Sequence, residues 1–406
     1  MDVISLGIGD PDTPTPAVVV EAMREQVARP DTHQYPSNRG REGFREAVAG
    51  FYSARFGVDL DPPTEVIPAL GAKEAVANVN LAFLDPGDVA LASDPGYPVY
   101  TTGPLLAGAD AVPMPLIPEL GFLPDLEAVP AEVAAAARLM FLNYPNNPTG
   151  GVVDDDFFAR VVEFARRNDV IVVHDNAYSE ITYDGYRAPS FLETPGALDV
   201  GIEIFSLSKT YNMTGWRAGA VVGNRDLVGA YWQLKTNIDS GMFEALQEAA
   251  AAALRSDQSS VAEMCAIYQR RRDVLVAALR AIGLRVDPPK GAIYVWARVP
   301  DGETSASFTE RVLEDAAVVI SPGAAYGPSG EGFVRMSLTV PDERLNEAAE
   351  RIAALVAGSR GPRAAALGPR PPPRGDPREL PRPDRRRLPR GARRDARQPR
   401  RRAPSG

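Results

Sequence analysis

Ser206-Leu207-Ser208-Lys209-Thr210-Tyr211-Asn212-Met213-Thr214-Gly215-Trp216-Arg217-Ala218-Gly219 sets one lysine behind two small hydroxyl residues, with an arginine eight positions further on and glycines beside it. A lysine that must join a carbonyl needs a dry pocket, because burial lowers the amine pKa and the free amine is the form that attacks. A planar guanidinium and a serine hydroxyl both donate to phosphate oxygens. The run therefore reads as an anchor for pyridoxal phosphate. A solvated Lys-Arg pair on a surface turn is the plainer alternative.

On either side of this run, apolar stretches alternate with amphipathic ones. Val66–Leu70, Val89–Ala92, Arg138–Leu142, Val170–His174, Glu203–Ser206 and Ala220–Val222 read as strands, with helices predicted over Lys73–Leu84 and residues 155–166. Near-continuous apolar strands separated by helices predict an α/β fold, with a large domain built on a mostly parallel sheet covered on both faces. After a long helix around Val261–Ala281 the pattern changes. Ala292–Val299, Val318–Ile320 and Phe333–Thr339 predict strands of a smaller α+β domain, closed by a helix over Glu343–Leu355.

Ligands of open α/β sheets bind beyond the carboxyl ends of the strands, where loops lead into helix N-termini. Five further motifs bear on this. Gly71-Ala72-Lys73 opens a helix whose backbone N–H groups suit a phosphate, although such helix starts are common. In Asp94-Pro95-Gly96-Tyr97-Pro98-Val99-Tyr100, the Tyr97 ring suits either stacking on a flat cofactor or packing within its loop. Asn143-Tyr144-Pro145-Asn146-Asn147-Pro148-Thr149-Gly150 is a proline-fixed turn that offers the Asn147 amide to a ring oxygen or a carboxylate. His174-Asp175-Asn176-Ala177-Tyr178 ends a buried strand on an acid, which is costly unless paired. A protonated pyridine nitrogen fits that need, Tyr178 suits the neighbouring phenolate oxygen, and a helix cap is the other use of such an aspartate. Gly332-Phe333-Val334-Arg335-Met336-Ser337-Leu338 buries an arginine that must meet a carboxylate, either of the protein or of a substrate.

Composition narrows the classes. At 406 residues and 45% hydrophobic content the chain can bury a large core, and two domains are expected. A single cysteine, Cys265, excludes an intramolecular disulfide, and a reducing, cytoplasmic setting is expected. Two histidines, His33 and His174, leave little material for a histidine-based metal site or a serine–histidine relay, and no metal is expected; His174, inside an apolar strand, reads as packed or supporting. No apolar run has membrane-spanning length. The charge is divided unevenly. The whole chain holds 44 basic and 53 acidic residues, and Arg360–Gly406 holds 16 and 4 of them, leaving 28 and 49 in the body. The Arg/Pro-rich tail has almost no large apolar residue and is expected to be disordered. It lacks the interleaved aromatics of a nucleic-acid module, and out-of-frame read-through of GC-rich DNA is the favoured origin.

Taken in order, these motifs resemble those of the fold-type I pyridoxal-phosphate enzymes in the class I/II aminotransferase family. Gly7-Ile8-Gly9-Asp10-Pro11-Asp12, His33-Gln34-Tyr35-Pro36 and Ser240-Gly241 extend the likeness, which covers roughly residues 2–357. Within the family it is greatest to enzymes of LL-diaminopimelate. The resemblance implies that Lys209 carries the cofactor covalently and then moves the Cα proton. It implies that Asp175 keeps the pyridine nitrogen protonated, that Tyr178 and Asn147 bond the ring oxygen, and that Tyr97 stacks on the ring. Ser206, Arg217 and the backbone of Ala72 and Lys73 would hold the phosphate. Arg335 would grip the substrate α-carboxylate, with Gly9 adding a backbone N–H. Tyr35 would reach the phosphate of a neighbouring subunit and Asn237 would approach across the same interface, which implies a homodimer with shared sites.

The implied organisation is an N-terminal segment, 1–40, contributing to the small domain and the dimer contact. A large cofactor domain, 41–269, the rest of the small domain, 270–357, and the tail, 358–406, follow. The implied reaction moves an amino group from an amino acid, glutamate being expected, to a 2-oxo acid, with tetrahydrodipicolinate as the expected acceptor. Aspartate, alanine, methionine or aromatic aminotransferases and a C–S lyase are rivals on the same fold. A ligand-sensing module of a transcription regulator is disfavoured, because no N-terminal helix-turn-helix is visible and the catalytic positions are filled. The chain also begins directly on the first family motif, without the helix that usually precedes it; a start site placed too late is the expected reason.

Overall fold

Ser206 and Gly219, the two ends of the lysine run, are register partners on adjacent antiparallel strands, Gly201–Ser206 and Gly219–Gly223. The run is thus the connection between two neighbouring antiparallel strands. In the computed structural model of the chain, residues 2–154 and 156–358 are described. Of the tail expected to be disordered, Gly358 ends a helix, Asp342–Gly358, and residues 359–406 lie outside this range.

The large sheet has seven strands in the order Val66–Ala69, Gly219–Gly223, Gly201–Ser206, Ile171–Asn176, Ala137–Leu142, Val89–Asp94, Asp110–Pro115. Gly219–Gly223 alone runs antiparallel to its neighbours, and the remaining pairings are parallel. Alternate residues of each strand enter opposite apolar layers. Met140, Leu142, Val172 and Phe205 pack with the helices Glu42–Phe56, Phe157–Asn168 and Glu244–Arg255. Leu139, Phe141, Val173 and Ile204 pack with Ala72–Phe83, Val99–Ala107 and Arg225–Lys235. The sheet is covered on both faces, as its apolar strands require.

A third apolar cluster belongs to a smaller sheet, Ser321–Pro322, Phe333–Ser337 and Tyr294–Arg298, all antiparallel, backed by the helices Ser305–Ala316 and Asp342–Gly358. Ile4–Ser5 joins this part of the protein by pairing in parallel with Val318–Val319. The helix Ala17–Val27 packs instead on Glu244–Arg255, so the N-terminal forty residues serve both layers. The long helix Ser259–Ala281 begins in the large layer with Val261 and continues into the small one with Leu275 and Leu279. The change of domain expected after residue 269 therefore falls within a continuous helix.

Three strands escape the sequence reading, one of them the two-residue Ile4–Ser5. Asp110–Pro115 is an edge strand with exposed Asp110 and two prolines, a composition that edges tolerate and central strands do not. Ser321–Pro322 is only two residues long. Among the described residues no helix is long and apolar enough to cross a membrane, and no cluster of His, Cys, Asp and Glu is arranged to hold a metal ion.

Candidate active site

The carboxyl ends of the parallel strands open onto one cavity of about 580 Å³, lined by Gly9, Ala72, Lys73, Tyr97, Asn147, Asp175, Tyr178, Ser206, Lys209, Arg217 and Arg335. These residues span more than three hundred positions of sequence and meet because each follows a strand end or lies on the small sheet facing it.

Asp175 is buried, with 6% of its surface exposed. Its Oδ2 accepts a bond from the Tyr100 hydroxyl at 2.8 Å, and its backbone carbonyl accepts from Asn143 Nδ2 at 2.7 Å. Its Oδ1 is buried with no partner among the described residues. Burial pushes the carboxyl up to about 6, against the opposing pull of the Tyr100 bond and of His174. A buried carboxylate oxygen without a donor is suited to a cationic N–H from a ligand.

Lys209 lies on the short helix Leu207–Thr210 and its Nζ donates to the carbonyl of Gly9. Burial pushes its amine down to about 8; Asp10 opposes this, while Arg335 and Arg217 add to it. Ser206 caps this helix by accepting from the Ser208 N–H at 3.2 Å. Arg217 takes a left-handed backbone, φ 62°, a costly conformation for a non-glycine residue. It donates to the carbonyls of Thr214 at 2.8 Å and Leu70 at 3.3 Å. The guanidinium passes directly over Gly71, where a Cβ would come within 2.2 Å of Arg217 Nη2. Gly71 also opens the helix Ala72–Phe83, whose N-terminus carries no side-chain cap. Arginine, serine and uncapped N–H groups together suit a phosphate.

Arg335 is 7% exposed, and among the described residues no carboxylate lies within ion-pair distance. Its Nη1 donates to Asn147 Oδ1 and its Nη2 to the Gly7 carbonyl, both at 2.8 Å. The guanidinium carbon lies 4.1 Å from the ring centre of Tyr294 and 4.6 Å from that of Tyr326. A buried cation held by neutral groups alone is set to receive an anion. Of the two partners open from sequence, a protein carboxylate is not there.

Tyr178 is buried and its hydroxyl lies 3.2 Å from that of Tyr294; burial raises both phenols, so they stay neutral. The Tyr97 ring packs edge-on to Tyr100 at 5.9 Å, with Lys73 Nζ 5.9 Å from its centre. Gly9 has no room for a side chain, since a Cβ would sit 2.1 Å from the Tyr294 hydroxyl. Tyr35 and Asn237 are not among the cavity residues of their own chain. Tyr35 is 88% exposed, and Asn237 bonds to Gln233 and Thr236 on the surface.

Four participants went unread in the sequence. Tyr100 and Asn143 stand within quoted motifs but carry no signal of their contact with Asp175. Tyr294 and Tyr326 reach Arg335 from the small sheet and the turn Gly323–Tyr326. His174 is fully buried, donating from Nδ1 to Glu203 at 2.8 Å and accepting the Tyr144 N–H on Nε2 at 3.3 Å. It therefore braces the Asn143–Asn147 turn against the next strand.

The unpartnered oxygen of Asp175, the arginine over Gly71, the uncapped helix and a lysine with a lowered pKa fit pyridoxal phosphate. The description "aminotransferase class I and II" matches residues 1–352. The LL-diaminopimelate aminotransferase of Moorella thermoacetica is 54% identical over 352 residues, covering 87% of this chain and 90% of that protein. That of Desulforudis audaxviator is 55% identical over 352 residues, with the same 87% and 90% coverage. Substrate-bound BacF from Bacillus subtilis superposes with a TM-score of 0.85 at 41% identity, covering 87% of this chain and 91% of that one. A probable N-succinyldiaminopimelate aminotransferase from Thermus thermophilus gives 0.82 at 35%, covering 87% and 95%. The chain belongs to the class I and II aminotransferases, which work with pyridoxal phosphate.

Proposed function

We propose that this aminotransferase exchanges the amino group of glutamate with tetrahydrodipicolinate, forming LL-diaminopimelate. The observation that carries the α-amino acid chemistry is Arg335, a buried guanidinium with neutral partners only, in the cavity that holds Lys209 and Asp175. The substrate pair is supported by the relatives named above, at 54% and 55% identity over 352 residues.

Bound pyridoxal phosphate supplies an electron sink for the carbanion left when a Cα proton departs. The chain's own residues do the rest. Lys209 Nζ would hold the proton that leaves Cα, and its lowered pKa keeps a free amine accessible near neutral pH. Asp175 Oδ1 would accept from the ring N–H and keep that nitrogen protonated. Tyr178 and the Asn147 amide would donate to the ring oxygen, and Tyr97 would pack against the ring. Ser206, Arg217 and the N–H groups of Ala72 and Lys73 hold the phosphate. Arg335, with Gly9, would take the α-carboxylate and so fix the orientation of the substrate in the cavity. The donor and acceptor bind in turn, in a ping-pong exchange.

We read the enzyme as a cytoplasmic homodimer. Exposed Tyr35 at 88%, Ile8 at 71% and Ile238 at 51% support a covered face, and the lone Cys265 supports a reducing setting. Mixing Lys209→Ala and Tyr35→Phe proteins should regenerate activity if sites are shared, through mixed dimers carrying one unaltered site. For the reaction itself, glutamate should be tested with tetrahydrodipicolinate alongside oxaloacetate, pyruvate and aromatic 2-oxo acids. Preference for any of the latter removes the diaminopimelate assignment, and pyruvate release from cystathionine without a keto acceptor points to a lyase.

A further inference from the structure

Tyr100 has no assigned part in the chemistry, yet it is the one side chain among the described residues that bonds the Asp175 carboxylate. It sits on the helix Val99–Ala107, is 1% exposed, and stacks on Phe141 with ring centres 5.5 Å apart and planes within 11°. Phe141 belongs to the strand Ala137–Leu142, next to the strand that carries Asp175. The hydroxyl is thus held by a packed ring rather than by a mobile chain. It takes Oδ2, and Oδ1 is left as the oxygen without a partner.

We propose that Tyr100 is a positioning residue for Asp175. Its hydroxyl donates to one carboxylate oxygen, keeping the group ionised and in the rotamer that leaves the other oxygen for the cofactor's ring N–H. This rests on the pyridoxal phosphate reading of the cavity. The physical reason is that a donor stabilises only the charged form of an acid, and in a desolvated place that preference is strong. Burial of Asp175 works the other way, so loss of the donor lets desolvation act unopposed by any side-chain hydrogen bond. The phenol cannot substitute a proton of its own, because burial and the neighbouring Asp175 charge raise it well above the ordinary tyrosine range. The other titratable groups around Asp175 are His174 and Tyr178, and Lys209, Arg217, Arg335, Lys73, Tyr97 and Tyr294 line the same cavity. His174 points to the opposite face of the sheet, toward Glu203.

The test is cofactor binding to cofactor-free protein as a function of pH, read by fluorescence and independent of turnover. Tyr100→Phe keeps the ring that stacks on Phe141 and removes only the donor. The expected result is binding weaker by on the order of ten- to a hundred-fold, the worth of one hydrogen bond to a charged group. The acid limb of the binding profile should also move to higher pH by about one unit. Tyr183→Phe removes another buried hydroxyl, bonded to the Ala292 carbonyl, and should leave the limb in place. Difluorotyrosine at position 100, a stronger donor of nearly the same shape, should move it to lower pH and covers the case in which Tyr100→Phe does not fold. An unmoved limb in both position-100 proteins, or equal movement in Tyr183→Phe, overturns the proposal. Borohydride trapping at Lys209 runs alongside: no trapped adduct in the unaltered protein removes the cofactor reading itself, and the proposal with it.

Discussion

Replacing Arg335 by methionine tests whether its guanidinium receives the substrate α-carboxylate. The guanidinium is buried between Tyr294 and Tyr326, bonds Asn147 and Gly7, and meets no carboxylate among the described residues. If its anion is the substrate α-carboxylate, the variant leaves that carboxylate unpaired in a desolvated place. Truncating one member of a buried, hydrogen-bonded charge pair costs about 2–5 kcal/mol, which corresponds to roughly thirty- to several-thousand-fold in kcat/KM. The assay is the first half-reaction in single turnover, run with glutamate and with 4-aminobutyrate, which is glutamate without its α-carboxylate. The unaltered enzyme should favour glutamate by the full factor. Arg335→Met should lose most of that preference, mainly by slowing glutamate, while the cofactor stays bound through Lys209 and the phosphate groups. A variant that still prefers glutamate to the original extent would refute the clamp and return Arg335 to a structural role.

Lys209→Ala should retain the fold but lose the adduct trapped by borohydride, and trapping at another lysine would displace the assignment. In cofactor-free protein the Lys209 amine, lowered to about 8, should react with an aldehyde at a rate that rises through pH 8; a rate that climbs only near pH 10 contradicts the burial argument. Because the folded pKa lies below the unfolded one, the same group makes cofactor-free protein gain stability between about pH 8 and 10.5. Glu203→Leu should lower the melting temperature sharply, since the Tyr52, His174, Asn176 and Ser190 side chains and the Phe191 N–H all donate to that carboxylate. Each buried donor left alone costs about 1–3 kcal/mol, so an unchanged melt would contradict the network. Gly9→Ala should cut kcat/KM without releasing cofactor, because a Cβ 2.1 Å from the Tyr294 hydroxyl must push that ring against Arg335; full activity would show that the ring yields freely.

What could be read from sequence follows from where the information lies. The strands leading to Tyr97, Asn147, Asp175 and Lys209 are apolar runs ended by loops, so their order and the cavity at their ends are visible locally. Asp175 and Arg335 stand out because a charge in an apolar strand demands a partner. Tyr100 and Tyr294 do not stand out, since a buried aromatic is ordinary and its hydroxyl's partner is chosen by strands distant in sequence. Glu203 was hidden in the same way: as the third residue of the strand Gly201–Ser206 it looks like an interruption, yet five donors from the chain satisfy it. Those bonds outweigh burial, which alone would raise its pKa, and hold the carboxyl below its usual range. The strand Asp110–Pro115 was lost for a different reason, because an edge needs neither apolar continuity nor every backbone N–H.

The strip from Ile4 to Asp10 touches several distant parts of the chain. Ile4–Ser5 lie against Val318–Val319, the Gly7 carbonyl receives Arg335, the Gly9 carbonyl receives Lys209, and Asp10 receives Thr214. They work as a latch that fastens Arg335 and Lys209 from a single strip of backbone. Substitutions in this strip will therefore act on the cavity before they act on the fold. A protein lacking the residues up to Gly9 should keep its seven-stranded sheet and lose its turnover.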